Sequence, residues 1–233
     1  MASKTLAVIA GVGAGTVSRV HSLCYIPSLT SYQGASVART FAKAYPVVLL
    51  ARSPSSYEPV VKEINSSGGH AVGISTDLSD SNSVKAAFDQ IAEKFPGAGL
   101  AAAVFNSSGT FVRKPFLEVT EEEYSTALDS QAYGAFAFAQ RTLPLLLQAK
   151  GTSPYPPTLI FTGATASVRG SANFAAFASA KFALRALAQS LAREFGPQGI
   201  HVSHAIIDGV IDIPRTKAYT VAHEDGKLSP DAV

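Results

Sequence analysis

Residues 167–194 read SVRGSANFAAFASAKFALRALAQSLARE, and this stretch decides the fold. Phe174, Phe177, Ala178, Lys181, Phe182, Leu184, Arg185, Ala188, Leu191 and Phe195 recur at steps of three and four, the spacing of one long amphipathic helix. Alanine is abundant in it, and Gly196-Pro197 terminates it. Phe177 and Lys181 are four apart, so they share a face, one turn from each other. Outward from this helix lie six apolar runs, at 6–10, 47–51, 71–75, 100–105, 158–162 and 201–207, separated by helical patterns. Strands and helices in alternation require a parallel sheet covered on both faces. Gly11, Gly13 and Gly15 follow the first run, and a strand leading into a glycine loop opens a dinucleotide-binding fold.

With these residues in place, the chain resembles the short-chain dehydrogenases/reductases. The resemblance implies an α/β fold with a doubly wound parallel sheet, a Rossmann-type three-layer αβα domain. In that family the long helix carries Tyr-x-x-x-Lys. The tyrosine moves the proton, and the lysine holds the cofactor ribose and lowers the tyrosine pKa. Lys181 matches the lysine, whereas Phe177 stands at the tyrosine and has no hydroxyl. Thirteen residues before Phe177, where the family places a helper serine, is Ala164. The family asparagine of the preceding helix, three residues before Gly134, is Gln131, which makes the same kinds of hydrogen bond with one more methylene. Thr165 is the hydroxyl nearest in sequence to the vacant roles, with a loop hydroxyl bonded to nearby backbone as the alternative. Asp208-Gly209 replaces the family Pro-Gly after the sixth run, and Ile211-Asp212-Ile213 stands where the family has Ile-x-Thr.

The same resemblance implies a cofactor site made of Gly11, Gly15, Gly34, Arg52, Asp77, Leu78, Asn106, Gly109 and Lys181. No acidic residue occupies positions 51–53, and Arg52 suits a 2′-phosphate, so NADP is expected and NAD remains open. An ordinary surface arginine is the alternative. Asp77-Leu78 sits where the family contacts the adenine edge, while Asp80 or Ser81 is placed to cap the helix that follows. Asn106-Ser107-Ser108-Gly109 resembles the family Asn-Asn-Ala-Gly at its first and last positions. Thr120 and Glu123 form a capping box at the start of the next helix.

One segment interrupts the pattern. Residues 17–33, VSRVHSLCYIPSLTSYQ, have no clear period, and a good helix resumes at Gly34. Removing them joins Gly11-Val-Gly-Ala-Gly15-Thr16 to Gly34 and restores the family Gly-x-x-x-Gly-x-Gly. Val17-Ser18 is encodable by GTGAGT, a splice donor, and Tyr32-Gln33 by TAYCAG, an acceptor; the 17 codons keep the reading frame. A retained intron of fungal size is therefore expected, with a natural loop insertion as the alternative.

The length of 233 residues and the 47% apolar content suit a single domain over 1–233. A net charge of +2 without charged blocks gives no reason to expect nucleic acid or an anionic membrane as partner. The single cysteine, Cys24, excludes an internal disulfide and a cysteine-based metal cluster, and no metal is expected. A cytoplasmic protein follows as the default. After Pro214 the chain turns polar, and a seventh core strand and the end of the domain are expected to be missing.

Two functions follow. One is an NAD(P)-dependent oxidoreductase acting on a carbonyl or alcohol, with a degenerate centre in which Lys181 and Thr165 remain. The other is a non-catalytic dinucleotide-binding pseudo-enzyme or partner subunit. A chain that folds poorly and does nothing is a third reading. Family dimers suggest a homo-oligomer through helix 174–195.

Overall fold

The computed structural model describes residues 5–12, 29–107, 109, 111–213, 216–221 and 226–232. Gly13, Gly15, the first twelve residues of the 17–33 segment and Ser108 lie outside the described residues.

The main sheet has six strands: β1 (Thr5–Ala10), β2 (Val47–Ala51), β3 (Ala71–Ser75), β4 (Gly99–Phe105), β5 (Thr158–Ala164) and β6 (His201–Ile207). All pair in parallel, in the order β3-β2-β1-β4-β5-β6. The helices are α1 (Leu29–Ala42), α2 (Pro54–Ser66), α3 (Ser81–Lys94), α4 (Glu121–Leu128), α5 (Gly134–Gln148) and α6 (Ala175–Phe195). The doubly wound α/β reading is thus observed.

Alternation along β1 splits the core into two layers. Leu6, Val8 and Ala10 face α3, α5 and α6 together with Phe105, Phe138, Phe161 and Leu184. Ala7 and Ile9 face α1 and α2 with Ala38, Val60, Ile64 and Val104. Phe138 centres the larger layer, its ring 5.6 Å from Phe105 and 5.9 Å from Phe88.

Several local signals are realised. Thr120 and Glu123 form the reciprocal capping box. Asp80 caps α3 by accepting from Asn82 N–H at 2.9 Å. α6 ends at Gly196.

Three features differ from the sequence reading. α1 begins at Leu29 rather than at Gly34, so residues 29–33 join the helix; after Pro27 nothing in Leu-Thr-Ser-Tyr-Gln breaks it. The helix expected to run on from Thr120 is interrupted by a π-helical turn, Asp129–Tyr133, between α4 and α5. Among the described residues, two short further strands, β7 (Val210–Ile211) and β8 (Lys227–Leu228), pair with each other and leave β6 at the edge of the main sheet.

Because Phe138 is fully buried, Phe138→Ala is expected to lower unfolding free energy by about 3–5 kcal/mol in a denaturant titration. A Cβ at position 34 would lie 2.6 Å from the Gly11 carbonyl oxygen, whereas at 170 it would meet nothing within 4 Å. Gly34→Ala should therefore destabilise by about 1–3 kcal/mol, and Gly170→Ala by less than about 0.5 kcal/mol.

Candidate functional site

The strand order reverses between β1 and β4, which opens a crevice at the carboxyl ends of the strands. β1 runs into Gly11, whose φ of 88° favours glycine. A Cβ there would stand 2.5 Å from the Asn106 carbonyl oxygen. Asn106 follows β4 and is fully buried. Its N–H donates to the Ala10 carbonyl at 2.9 Å and its Nδ2 to the Gly11 carbonyl at 3.3 Å. Gly34, in the second turn of α1, closes the junction: an added Cβ would also meet Asn106 Nδ2 at 3.1 Å. Gly11 and Gly34 therefore touch across 22 intervening residues.

The other expected cofactor residues lie along the same edge. Arg52 is exposed at the end of β2. After β3, the Asp77 carboxylate accepts from Ser79 N–H at 2.9 Å and Ser79 Oγ at 2.6 Å, and Asp77 N–H donates to Ser83 Oγ at 2.9 Å. Leu78 is buried, and its carbonyl stands 2.4 Å from where a Gly134 Cβ would be. The Asp77 carboxylate thus builds a turn, while the neighbouring Asp80 makes the helix cap. Gly109 has φ 59°, and a Cβ there would run into Ser130 Oγ at 2.0 Å.

α6 presents Lys181 to the end of β5. Its Nζ donates to the Thr162 carbonyl at 3.0 Å, and only 3% of the residue is exposed. Burial pulls its pKa down from 10.5 to about 8, because the ammonium loses water. The Phe177 ring centroid is 5.9 Å from Nζ. That ring packs edge-on against Phe111 at 5.2 Å, and Phe111 against Phe174 at 5.8 Å. Position 177 is therefore part of an aromatic cluster.

Ala164 ends β5 in extended conformation, with its N–H donating to Ser167 Oγ at 3.1 Å. Thr165 follows, and its Oγ1 donates to Asp208 Oδ1, so the loop hydroxyl is bonded to a distant side chain and not to nearby backbone. Gln131 sits in the π-helical turn, a distortion frequent at functional sites. It is 1% exposed, and its Nε2 donates to the Ser107 carbonyl at 2.9 Å. Among the described residues its Oε1 has no hydrogen-bond partner. His204 on β6 has its pKa lowered by burial and by the positive Lys181 and Arg185, so it stays neutral at pH 7.

The edge thus brings together Gly11, Gly34 and Asn106 at one end, and Lys181, Thr165 and Asp208 at the other. Sequence reasoning underweighted Asp208 and missed Phe111. A carboxylate one residue past a strand end signalled the first. Nothing in the pattern singled out the second.

Lys181 gives a stability signature. Between about pH 8 and 10.5 the unfolded chain keeps a lysine proton that the folded chain has lost. Unfolding free energy should rise with pH through that window by roughly 3 kcal/mol, and Lys181→Met should abolish the rise in chemical unfolding at graded pH.

Comparison with known proteins agrees with this geometry. The family model described as enoyl-(acyl carrier protein) reductase matches residues 33–229. L-2,3-butanediol dehydrogenase of Corynebacterium glutamicum is 30% identical over 155 residues, which is 65% of this chain and 55% of that protein. The chain thus spans about half the length of that curated relative. A short-chain dehydrogenase structure from Rhodopseudomonas palustris is 31% identical, with a TM-score of 0.70, covering 96% of this chain and 97% of that one. A metagenomic short-chain oxidoreductase solved in complex with NADP is 20% identical, with a TM-score of 0.72 over 99% of this chain and 87% of that one, and shares the fold. On the family match over 33–229, this chain belongs to the short-chain dehydrogenase/reductase family.

Proposed function

We propose that the chain is an NADP(H)-dependent oxidoreductase that interconverts an alcohol and a carbonyl with a reduced proton-transfer set. The observation that carries this reading is the buried Lys181 ammonium at the crevice, at the opposite end from a junction too tight for any side chain at Gly11 or Gly34. Such close backbone approach suits a pyrophosphate, whose charge is favoured at a helix N-terminus. Gly11, Gly15 and Gly34 would line the phosphates, Arg52 the 2′-phosphate, Asp77 and Leu78 the adenine, and Asn106, Gly109 and Lys181 the inner ribose and sheet end. When bound, the dinucleotide supplies or takes the hydride. The chain orients the reactants and excludes water, and positioning alone lowers the barrier substantially.

Ala164, Phe177 and Gln131 replace the usual serine, tyrosine and asparagine. General acid catalysis contributes ~10²–10⁴-fold, so their loss slows the reaction without forbidding it. The aromatic packing of Phe177 with Phe111 favours a second reading, a cofactor-binding partner subunit without turnover. Phe136 on α5 and Phe182 on α6 are 50% and 44% exposed, which supports a homo-oligomer through α6. No helix among the described residues is long and apolar enough to cross a membrane, in keeping with a cytoplasmic setting. The contact of Gly11 with Gly34 supports reading 17–33 as foreign to the glycine loop, a retained intron in a fungal gene, and the family match opens at residue 33.

Two variants test the reading. Phe177→Tyr with Ala164→Ser should raise ketone reduction by NADPH at least ~10²-fold; no gain while NADPH still binds favours the partner-subunit reading. Arg52→Ala should weaken NADPH about tenfold or more, with NADH unchanged, by calorimetry. Equal losses for both cofactors would remove Arg52 from the 2′-phosphate role.

A further inference from the structure

β5 and β6 pair in register from Thr158 with His201 to Ala164 with Ile207. Thr165 and Asp208 are the next residues of each strand, side by side at the carboxyl edge, and the Thr165 hydroxyl donates to Asp208 Oδ1. Of the described side chains placed at this edge above, four are committed elsewhere or carry no hydroxyl. Phe177 and Ala164 have no hydroxyl. Lys181 Nζ is buried against the Thr162 carbonyl, and the Gln131 amide nitrogen against that of Ser107. Thr165 is partly buried, whereas Asp208 is exposed. A partly buried hydroxyl at the carboxyl edge thus leads to an exposed carboxylate. An alcohol or threonine hydroxyl is too weak an acid to give up a proton at neutral pH without a base in hydrogen-bond reach.

We propose that Thr165 and Asp208 form the proton-accepting arm of this site, set for oxidation of a secondary alcohol. This rests on the oxidoreductase reading above. The carbinol C–H bond breaks, and its hydrogen leaves with the electron pair to NADP⁺, which is reduced as the carbinol carbon is oxidised to a carbonyl. The substrate O–H proton passes to Thr165 Oγ1 as the proton of Thr165 passes to Asp208 Oδ1. Asp208 then releases that proton to solvent, and the arm is restored. Thr165 is the catalytic residue, because it meets the substrate oxygen; Asp208 acts through it. The contact carries the assignment: it sets the Asp208 carboxylate, an acceptor when ionised, in hydrogen-bond reach of the Thr165 hydroxyl.

The test uses the full chain, NADP⁺ and 2,3-butanediol. Thr165→Val and Asp208→Asn should lower kcat at least ~10²-fold, with NADP⁺ affinity within twofold of the unaltered chain. Thr165→Ser should keep most of the rate. Added formate should restore part of the rate to Asp208→Ala and none to Thr165→Val, which a purely structural role for Asp208 would not produce. A binding readout needs no turnover: 1,1,1-trifluoropropan-2-ol should bind the NADP⁺-loaded chain about tenfold more weakly after either Thr165→Val or Asp208→Asn. Unaltered rates and unaltered alcohol binding in both variants overturn the arm while leaving the oxidoreductase reading intact. Failure of both the unaltered chain and the chain lacking residues 17–33 to bind NADP⁺ or to oxidise the diol overturns that reading, and the arm with it.

Discussion

The junction of Gly11, Gly34 and Asn106 is the constraint on which the rest depends. Three backbone segments meet there, with no room for a Cβ on Gly11 or Gly34. The Asn106 side chain ties the ends of β1 and β4 together through the Gly11 carbonyl. This fixes where the sheet divides, and so where a crevice opens at the carboxyl ends of the strands. Glycine at 11 meets two demands at once, a positive φ and a close backbone approach. The tightness of the junction has a functional reading as well as a structural one. A surface made of bare backbone can bring N–H groups against a phosphate, which a surface covered by side chains cannot.

At the other end of the crevice the dominant force is electrostatic. Lys181 is enclosed by apolar helix and sheet, where its ammonium donates to the Thr162 carbonyl. An ammonium held in this way is costly unless a further polar group shares it. An ordered water or a ligand hydroxyl would provide one. The Phe177 ring lies against one flank of the lysine, and burial of the ammonium lowers its pKa.

Much of this was legible in the sequence, for identifiable reasons. The strands are continuous apolar runs because both faces of a parallel sheet are buried, and all six appear where the runs stand. Lys181 and Phe177 are read from helical spacing, and α6 holds them one turn apart. Asp80 and the Thr120–Glu123 pair follow from local capping chemistry that needs no tertiary knowledge. What stayed hidden depends on contacts far apart in the chain. The π-helical turn at 129–133 has no composition of its own. The Thr165–Asp208 bond spans 43 residues and needs the register of β5 on β6 before the two can be paired. The start of α1 at Leu29 was hidden because the irregular composition of 17–33 masks a last turn compatible with helix.

The central claim is that this junction forms a dinucleotide site that favours NADPH. Its most direct test is calorimetric titration of NADPH and NADH into the chain lacking residues 17–33, beside the chain as it stands. The account predicts that the shortened chain binds NADPH with a dissociation constant in the roughly micromolar range and at least about tenfold tighter than NADH. No binding of either dinucleotide by either form would contradict it.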